Sequence, residues 1–181
     1  ARNTGAATAQ GAYLHFLDDD DWLLPGALES FWKLACSSDA AVLNGSPLLV
    51  DRKGRPIMRV EYGLVGNSFI QVIAGEFMYL GSNIIDAEMF FSVGGFNPLM
   101  EGGEDVDLFR RIALKGSFLE MSTVVVCIGV GEENSSTDYQ TLPIVSRRAR
   151  EEILNRKGAF KRMLGSANRS YWSGRIVRAY L

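Results

Sequence analysis

Asp18, Asp19, Asp20 and Asp21 stand in a row, and a second acidic pair, Glu104-Asp105, follows some eighty positions later. Carboxylates a few ångströms apart repel by roughly 3–4 kcal/mol per pair at an effective dielectric near 20. A row of four therefore calls for a positive partner, and a divalent cation shared with a phosphate-bearing ligand is the natural one. If the chain is still extended there, alternation points Asp18 and Asp20 to one side, toward a shared ion, with Asp19 turned away. Hard oxygen ligands without a Cys or His pair nearby select Mg²⁺ or Mn²⁺. Helix capping by Asp20 or Asp21 would explain one of the four, not the row.

Glu104-Asp105 opens a predicted helix that stops at Gly116. Helical spacing puts Asp105 on the face of Leu108, Phe109 and Ile112, the expected buried stripe, and turns Glu104 toward Asp107 and Arg111 on the polar side. Asp107 and Arg111, four apart, are expected to form a surface ion pair. An inward carboxylate beside Gly94-Gly95 and Gly102-Gly103 is placed to take a proton from a bound hydroxyl. The helix dipole is expected to lower the Asp105 pKa and keep it ionised.

Elements must bring these groups into place. Residues 1–10 read as a helix stopped by Gly11. Ala12 to Leu17 is apolar on both faces except at His15, the pattern of an interior strand covered on both sides and not of an edge. His15, the single histidine, reads as a packing residue. After Pro25, a helix runs to about Cys36 with Leu28, Phe31, Trp32 and Ala35 as its core stripe. Ala40 to Leu43 is a strand, and residues 48–60 form a hairpin around Asp51-Arg52-Lys53-Gly54. Short helices follow around Phe69 to Ile73 and Ala87 to Val93, and Phe118 to Ile128 is β-rich. Alternating strands and helices predict an α/β domain with a mostly parallel sheet, whose ligands bind outside the carboxyl ends of strands.

With 181 residues, 47% hydrophobic and 22% charged, the chain can bury a full core. No apolar run is long enough to span a bilayer. The opening residues have neither an initiator Met nor an apolar signal core, as expected for the middle of a longer protein. Cys36 and Cys127 give no disulfide framework or zinc spacing and are expected to be buried thiols, which favours a cytoplasmic setting. Residues 1–140 carry nine Lys/Arg against nineteen Asp/Glu, while residues 141–181 carry ten against two. The acidic part argues against nucleic acid as a partner.

Two blocks carry a resemblance. Ala1-Arg2-Asn3-Thr4-Gly5, Gly11-Ala12-Tyr13, Phe16 to Asp21 and Pro25 form one; Gly94-Gly95-Phe96 followed by Gly103 to Leu108, Arg111 and Gly116 form the other. Together they resemble the inverting family 2 glycosyltransferases over roughly residues 1–137. The resemblance implies a GT-A-type, Rossmann-like sheet flanked by helices, here without the family's N-terminal half. Residues 1–140 would be a partial catalytic domain and residues 141–181 a basic helical extension.

It further implies that Asp18 and Asp20 form the D-x-D that meets the ribose-diphosphate and a Mn²⁺ or Mg²⁺ ion, with Arg2 near the nucleotide. Asp105 would be the catalytic base with Glu104 beside it, Asp21 would support the acceptor side, and Gly95 and Phe96 would shape the wall between donor and acceptor. The partners implied are a nucleotide-sugar donor and a glycan or lipid-linked acceptor. Where many members have a metal-site histidine, residues 131–137 have none; either Glu132 or Glu133 would supply an oxygen instead, or the metal would be held more weakly.

In the tail, Arg147, Arg148, Arg150, Arg156, Lys157, Lys161 and Arg162 read as a solvated helix face. The functional alternative is a membrane-surface contact on the inner face, with Tyr171, Trp172, Ile176 and Val177 as its apolar side. Two competing functional readings are a truncated or degenerate domain that binds a nucleotide-sugar or partner without turnover, and a nucleotidyl transferase. The latter would require a Gly-rich phosphate loop that these residues do not contain.

Overall fold

The computed structural model describes residues 1–75, 78–100, 102–130 and 142–178, with side chains described except at 142–146 and 176–178. Helix α1 spans Arg2–Thr8 and leads into strand β1, Tyr13–His15. A turn at the aspartates precedes β2 (Trp22–Leu23), α2 (Ala27–Ala35) and the nine-residue β3 (Val42–Val50). The hairpin partner β4 (Pro56–Arg59), then β5 (Val65–Gly66) and α3 (Phe69–Ile73), follow. A 3₁₀ turn at Leu80–Ser82 enters β6 (Asn83–Asp86), capped into α4 (Ala87–Ser92) by the Asp86 carboxylate, which accepts from Met89 N–H at 2.7 Å. Helix α5 (Glu104–Lys115) and the twelve-residue β7 (Phe118–Gly129) complete the family-like region; α6 (Leu142–Leu154), α7 (Ala159–Leu164) and α8 (Arg169–Arg178) form the tail.

The sheet runs β1-β6-β3-β7-β2, with β4 on β3 and β5 on β7. Only β3 and β7 pair in parallel among the described residues; the other pairings are antiparallel. The mixed α/β sheet flanked by helices is as expected, but the mostly parallel pairing is not. Parallel neighbours need a crossover, and β6 instead enters beside β3 directly from the 3₁₀ turn. Gly45 lets the central pair close up, since a Cβ there would sit 2.5 Å from both Val125 methyl carbons.

Strand β1 is the end of the sheet path and pairs with β6 alone among the described residues. That corrects the interior-strand expectation. Its apolar neighbours are covered by side chains instead of by strands: the Phe16 ring lies 5.4 Å from Phe90 and 5.0 Å from Phe96.

Strand alternation sends Val42 and Ile85 into one core cluster and Leu43 and Ile84 into another. The first contains Phe69, Phe90, Leu108, Phe109 and Ile112, and the tail adds Ile153 and Ala159 to it. The second holds Ala27 and Phe31 of α2 against β7. Leu28 and Trp32, expected in the core, are 62% and 68% exposed. Phe31 of the expected stripe is buried and Ala35 packs against the same cluster, while the small Ala27, one turn before Phe31, faces the sheet in place of Leu28. Cys36 is exposed and Cys127 buried, so the expected burial holds for one thiol of the two.

The tail is docked. Trp172 packs on Ile70 and Ala74, which removes it from the apolar side expected for a membrane contact. Arg162 donates from Nε to the Ala113 carbonyl at 3.0 Å and from Nη2 to the Gly116 carbonyl, neutralising the end of α5 where carbonyls are left unpaired. No helix of the described residues is long and apolar enough to cross a membrane.

Candidate functional site

Helix α1 carries the residue that joins the two acidic stretches. Arg2 donates from Nη1 to Glu104 Oε1 at 2.5 Å and from Nη2 to Asp18 Oδ1 at 2.6 Å. Its Cζ lies 5.7 Å from the centre of the Phe96 ring. Burial works against the guanidinium charge, but hydrogen bonds and charge from Asp18 and Glu104 more than offset it and raise the pKa. The two carboxylates, though distant in sequence, thus flank a single cation.

Asn3, next to it, was not singled out in the sequence. Its amide donates to the Phe96 carbonyl at 2.7 Å and accepts from Phe96 N–H at 2.9 Å. This two-point clamp fixes the Gly94-Gly95-Phe96 loop to α1. Gly95 adopts φ +65°, and a Cβ there would come within 2.8 Å of Asn3 Oδ1, so a side chain is excluded twice over. Phe96 is buried and packs on Phe90, forming the floor under Arg2. The Arg-Asn pairing in the first block was the available signal: a polar amide beside a charged residue on a short helix.

Helix α5 opens at Gly103, in the left-handed region at φ +69°. Asp105 Oδ1 accepts from Val106 N–H at 2.7 Å. Burial pushes the Asp105 carboxyl up to about 6, with Glu104 adding to the rise; backbone N–H groups and Arg2 oppose it. The expectation of a depressed pKa is thereby corrected: loss of water outweighs the helix terminus. At neutral pH the group is mostly ionised and a stronger base than an ordinary carboxylate. The Asp107–Arg111 pair forms at 2.6 Å but is buried, and Arg111 Nη1 also donates to the Val93 carbonyl at 2.7 Å. It fastens α5 to α4 and is not the surface pair expected.

The aspartate row is a turn and not an extended segment, with Asp21 N–H donating to the Asp18 carbonyl at 3.2 Å. Simple alternation of Asp18 and Asp20 therefore does not apply. Asp18, Asp19 and Asp20 are exposed and Asp21 half-buried. Asp21 Oδ1 accepts from Gly129 N–H at 3.2 Å, tying the turn to the end of β7. Burial lifts its carboxyl to about 6, the Gly129 hydrogen bond opposes, and Asp20 and Asp18 add repulsion. Gly81 borders Asp21 and Leu17. The segment around it is held by the buried Tyr62 hydroxyl, which accepts from Tyr79 N–H and shares a hydrogen bond with Ser82 Oγ, both at 3.0 Å. His15 Nε2 bonds the Gly81 carbonyl at 2.9 Å, in keeping with a packing role.

Among the described residues no three His, Cys, Asp or Glu side chains gather to form a metal cage. Asp18 and Asp20 nonetheless fit the donor chemistry of Mg²⁺ or Mn²⁺, which takes one or two carboxylates and completes its shell with phosphate and water. Glu132 and Glu133 lie outside the described residues.

A family model for glycosyltransferase-like family 2 matches residues 1–136. The chain belongs to that family. Among solved structures, Staphylococcus aureus TarS 1–349 in complex with UDP-GlcNAc superposes with a TM-score of 0.68 at 15% identity, over 98% of this chain and 50% of that one. The same fragment with UDP gives 0.65 at 14% identity, over 99% and 49%. Longer TarS gives 0.66 at 15% identity, over 99% and 30%. This likeness establishes a shared GT-A fold, and the family-2 chain spans about half the length of the TarS fragment or less. No curated protein matches it.

Proposed function

We propose that the protein containing this chain transfers a sugar from a nucleoside-diphosphate donor to a hydroxyl of a glycan or lipid-linked acceptor, with inversion, on the cytoplasmic side. The observation that carries the reading is the Arg2 bridge, which sets Asp18 of the aspartate turn and Glu104, next to Asp105, on one guanidinium. Support comes also from the family match and from TarS, whose complexes hold UDP-GlcNAc and UDP.

In this mechanism Asp105 accepts the proton of the acceptor hydroxyl as its oxygen attacks the anomeric carbon. The bond from that carbon to the diphosphate oxygen breaks on the opposite side, and the nucleoside diphosphate leaves with the bonding pair. A single displacement needs one carboxylate at the reacting centre, unlike the paired acids of glycoside hydrolysis. Asp18 and Asp20 would hold a Mg²⁺ or Mn²⁺ ion, whose role is to take up charge on the departing diphosphate. Glu104 keeps Asp105 basic and lines the acceptor side with Asp21; Gly95 and Phe96, clamped by Asn3, form the wall between donor and acceptor. Arg2 holds Asp18 in position and offers charge to the diphosphate.

NMR of the product made by the full-length protein tests this, with the anomeric configuration expected to be opposite to that of the donor. Asp105→Asn should lower turnover by about 10²–10⁴-fold. Retention of configuration, or undiminished turnover in that variant, would rule the mechanism out.

A further inference from the structure

After Glu152 the sequence has no acidic residue, yet it carries seven Lys/Arg through position 178. The structure sorts these residues by face. In α7, Ala159 is buried, Met163 packs against the core, and Arg162 reaches the end of α5. Phe160 and Leu164 are left pointing outward at 69% and 47% exposure. They are four apart and so share one side of the helix. Lys157 and Lys161 are exposed beside them, and Arg169 and the 61%-exposed Tyr171 follow at the start of α8. An open groove lined by Leu164, Asn168, Arg169 and Tyr171 lies between the end of α7 and α8.

We propose that this face of α7 and the start of α8 is a docking surface for an anionic lipid bilayer. Charge complementarity argues for that occupant. The patch combines cations with protruding aromatic and aliphatic groups, the composition that seats a helix at a headgroup boundary. The rest of the chain carries a net negative charge, which favours an approach to such a membrane by this cationic face. The apolar contact lies on α7, because Trp172 of α8 is committed to Ile70 and Ala74. The proposal stands independently of the transferase reading.

The test is co-sedimentation of the full-length chain with phosphatidylcholine vesicles, with and without about one-third phosphatidylglycerol. Binding should require the anionic lipid and weaken with salt. The double variants Phe160→Ser/Leu164→Ser and Lys157→Glu/Lys161→Glu should each bind about tenfold more weakly or worse. All four side chains are exposed, so circular dichroism should show an unchanged fold; if the apolar pair proves disruptive, the lysine pair alone decides. Failure to bind, equal binding to neutral vesicles, or binding untouched by the variants would overturn the proposal. Equally tight capture by polyglutamate, indifferent to Phe160→Ser/Leu164→Ser, would make the surface a general polyanion site and overturn it as well.

Discussion

Asn3 is where one side chain has the greatest reach. By pairing with both backbone groups of Phe96 it holds the floor under Arg2, and Gly95 can tolerate that closeness only without a Cβ. Asn3→Ala leaves a partly buried N–H and C=O without these partners, so it should cost about 1–3 kcal/mol in a urea melt; a loss below a few tenths would show the clamp is not formed. Asp21 and Asp105 lead to a pH prediction. Both carboxyls bind their proton more tightly folded than unfolded, with pKa about 6 against an ordinary 3.8. Between those values the native state binds more protons, so stability falls as pH rises through that window. Asp21→Asn keeps an oxygen for Gly129 N–H and escapes the penalty. Its stability relative to wild type should increase from pH about 4 to about 7, and a flat or reversed difference across urea melts would contradict the burial argument.

At the scale of elements, α2 shows what periodicity can and cannot decide. The helix was legible, but Leu28 and Trp32 lie outward while Ala27 and Phe31 carry the contact. An apolar count gives Ala27 little weight, although its small side chain is what lets the helix approach the sheet. Phe31→Ala should cost about 3–5 kcal/mol, whereas Trp32→Ala should stay within about 1 kcal/mol. Comparable losses in thermal or urea denaturation would restore the original stripe. Strand β1 reads as interior in the sequence because aromatic rings from α4 and the Gly95-Phe96 loop cover it, and long-range side-chain cover leaves no period-two signature. The hairpin at residues 48–60, α5 and β7 were legible because turn residues and spacing agree there.

At the scale of the molecule, the two acidic motifs were expected to converge on one cleft, but the contact that joins them could not be read from the residues. It depends on Arg2, whose partners lie 16 and 102 residues away, and on packing that raises the Asp105 pKa against its helix dipole. The tail, set apart by its charge, contributes Ile153 and Ala159 to the main core and caps α5 through Arg162, so charge asymmetry alone did not reveal how it packs. Calorimetry with UDP and Mn²⁺, paired with transfer assays on the full-length protein, tests the common cleft most directly. Asp18→Asn should weaken UDP binding at least about tenfold, while Asp105→Asn should bind UDP normally yet lose transfer. Unchanged UDP affinity in Asp18→Asn, or full transfer by Asp105→Asn, would contradict a shared site for the two acidic stretches.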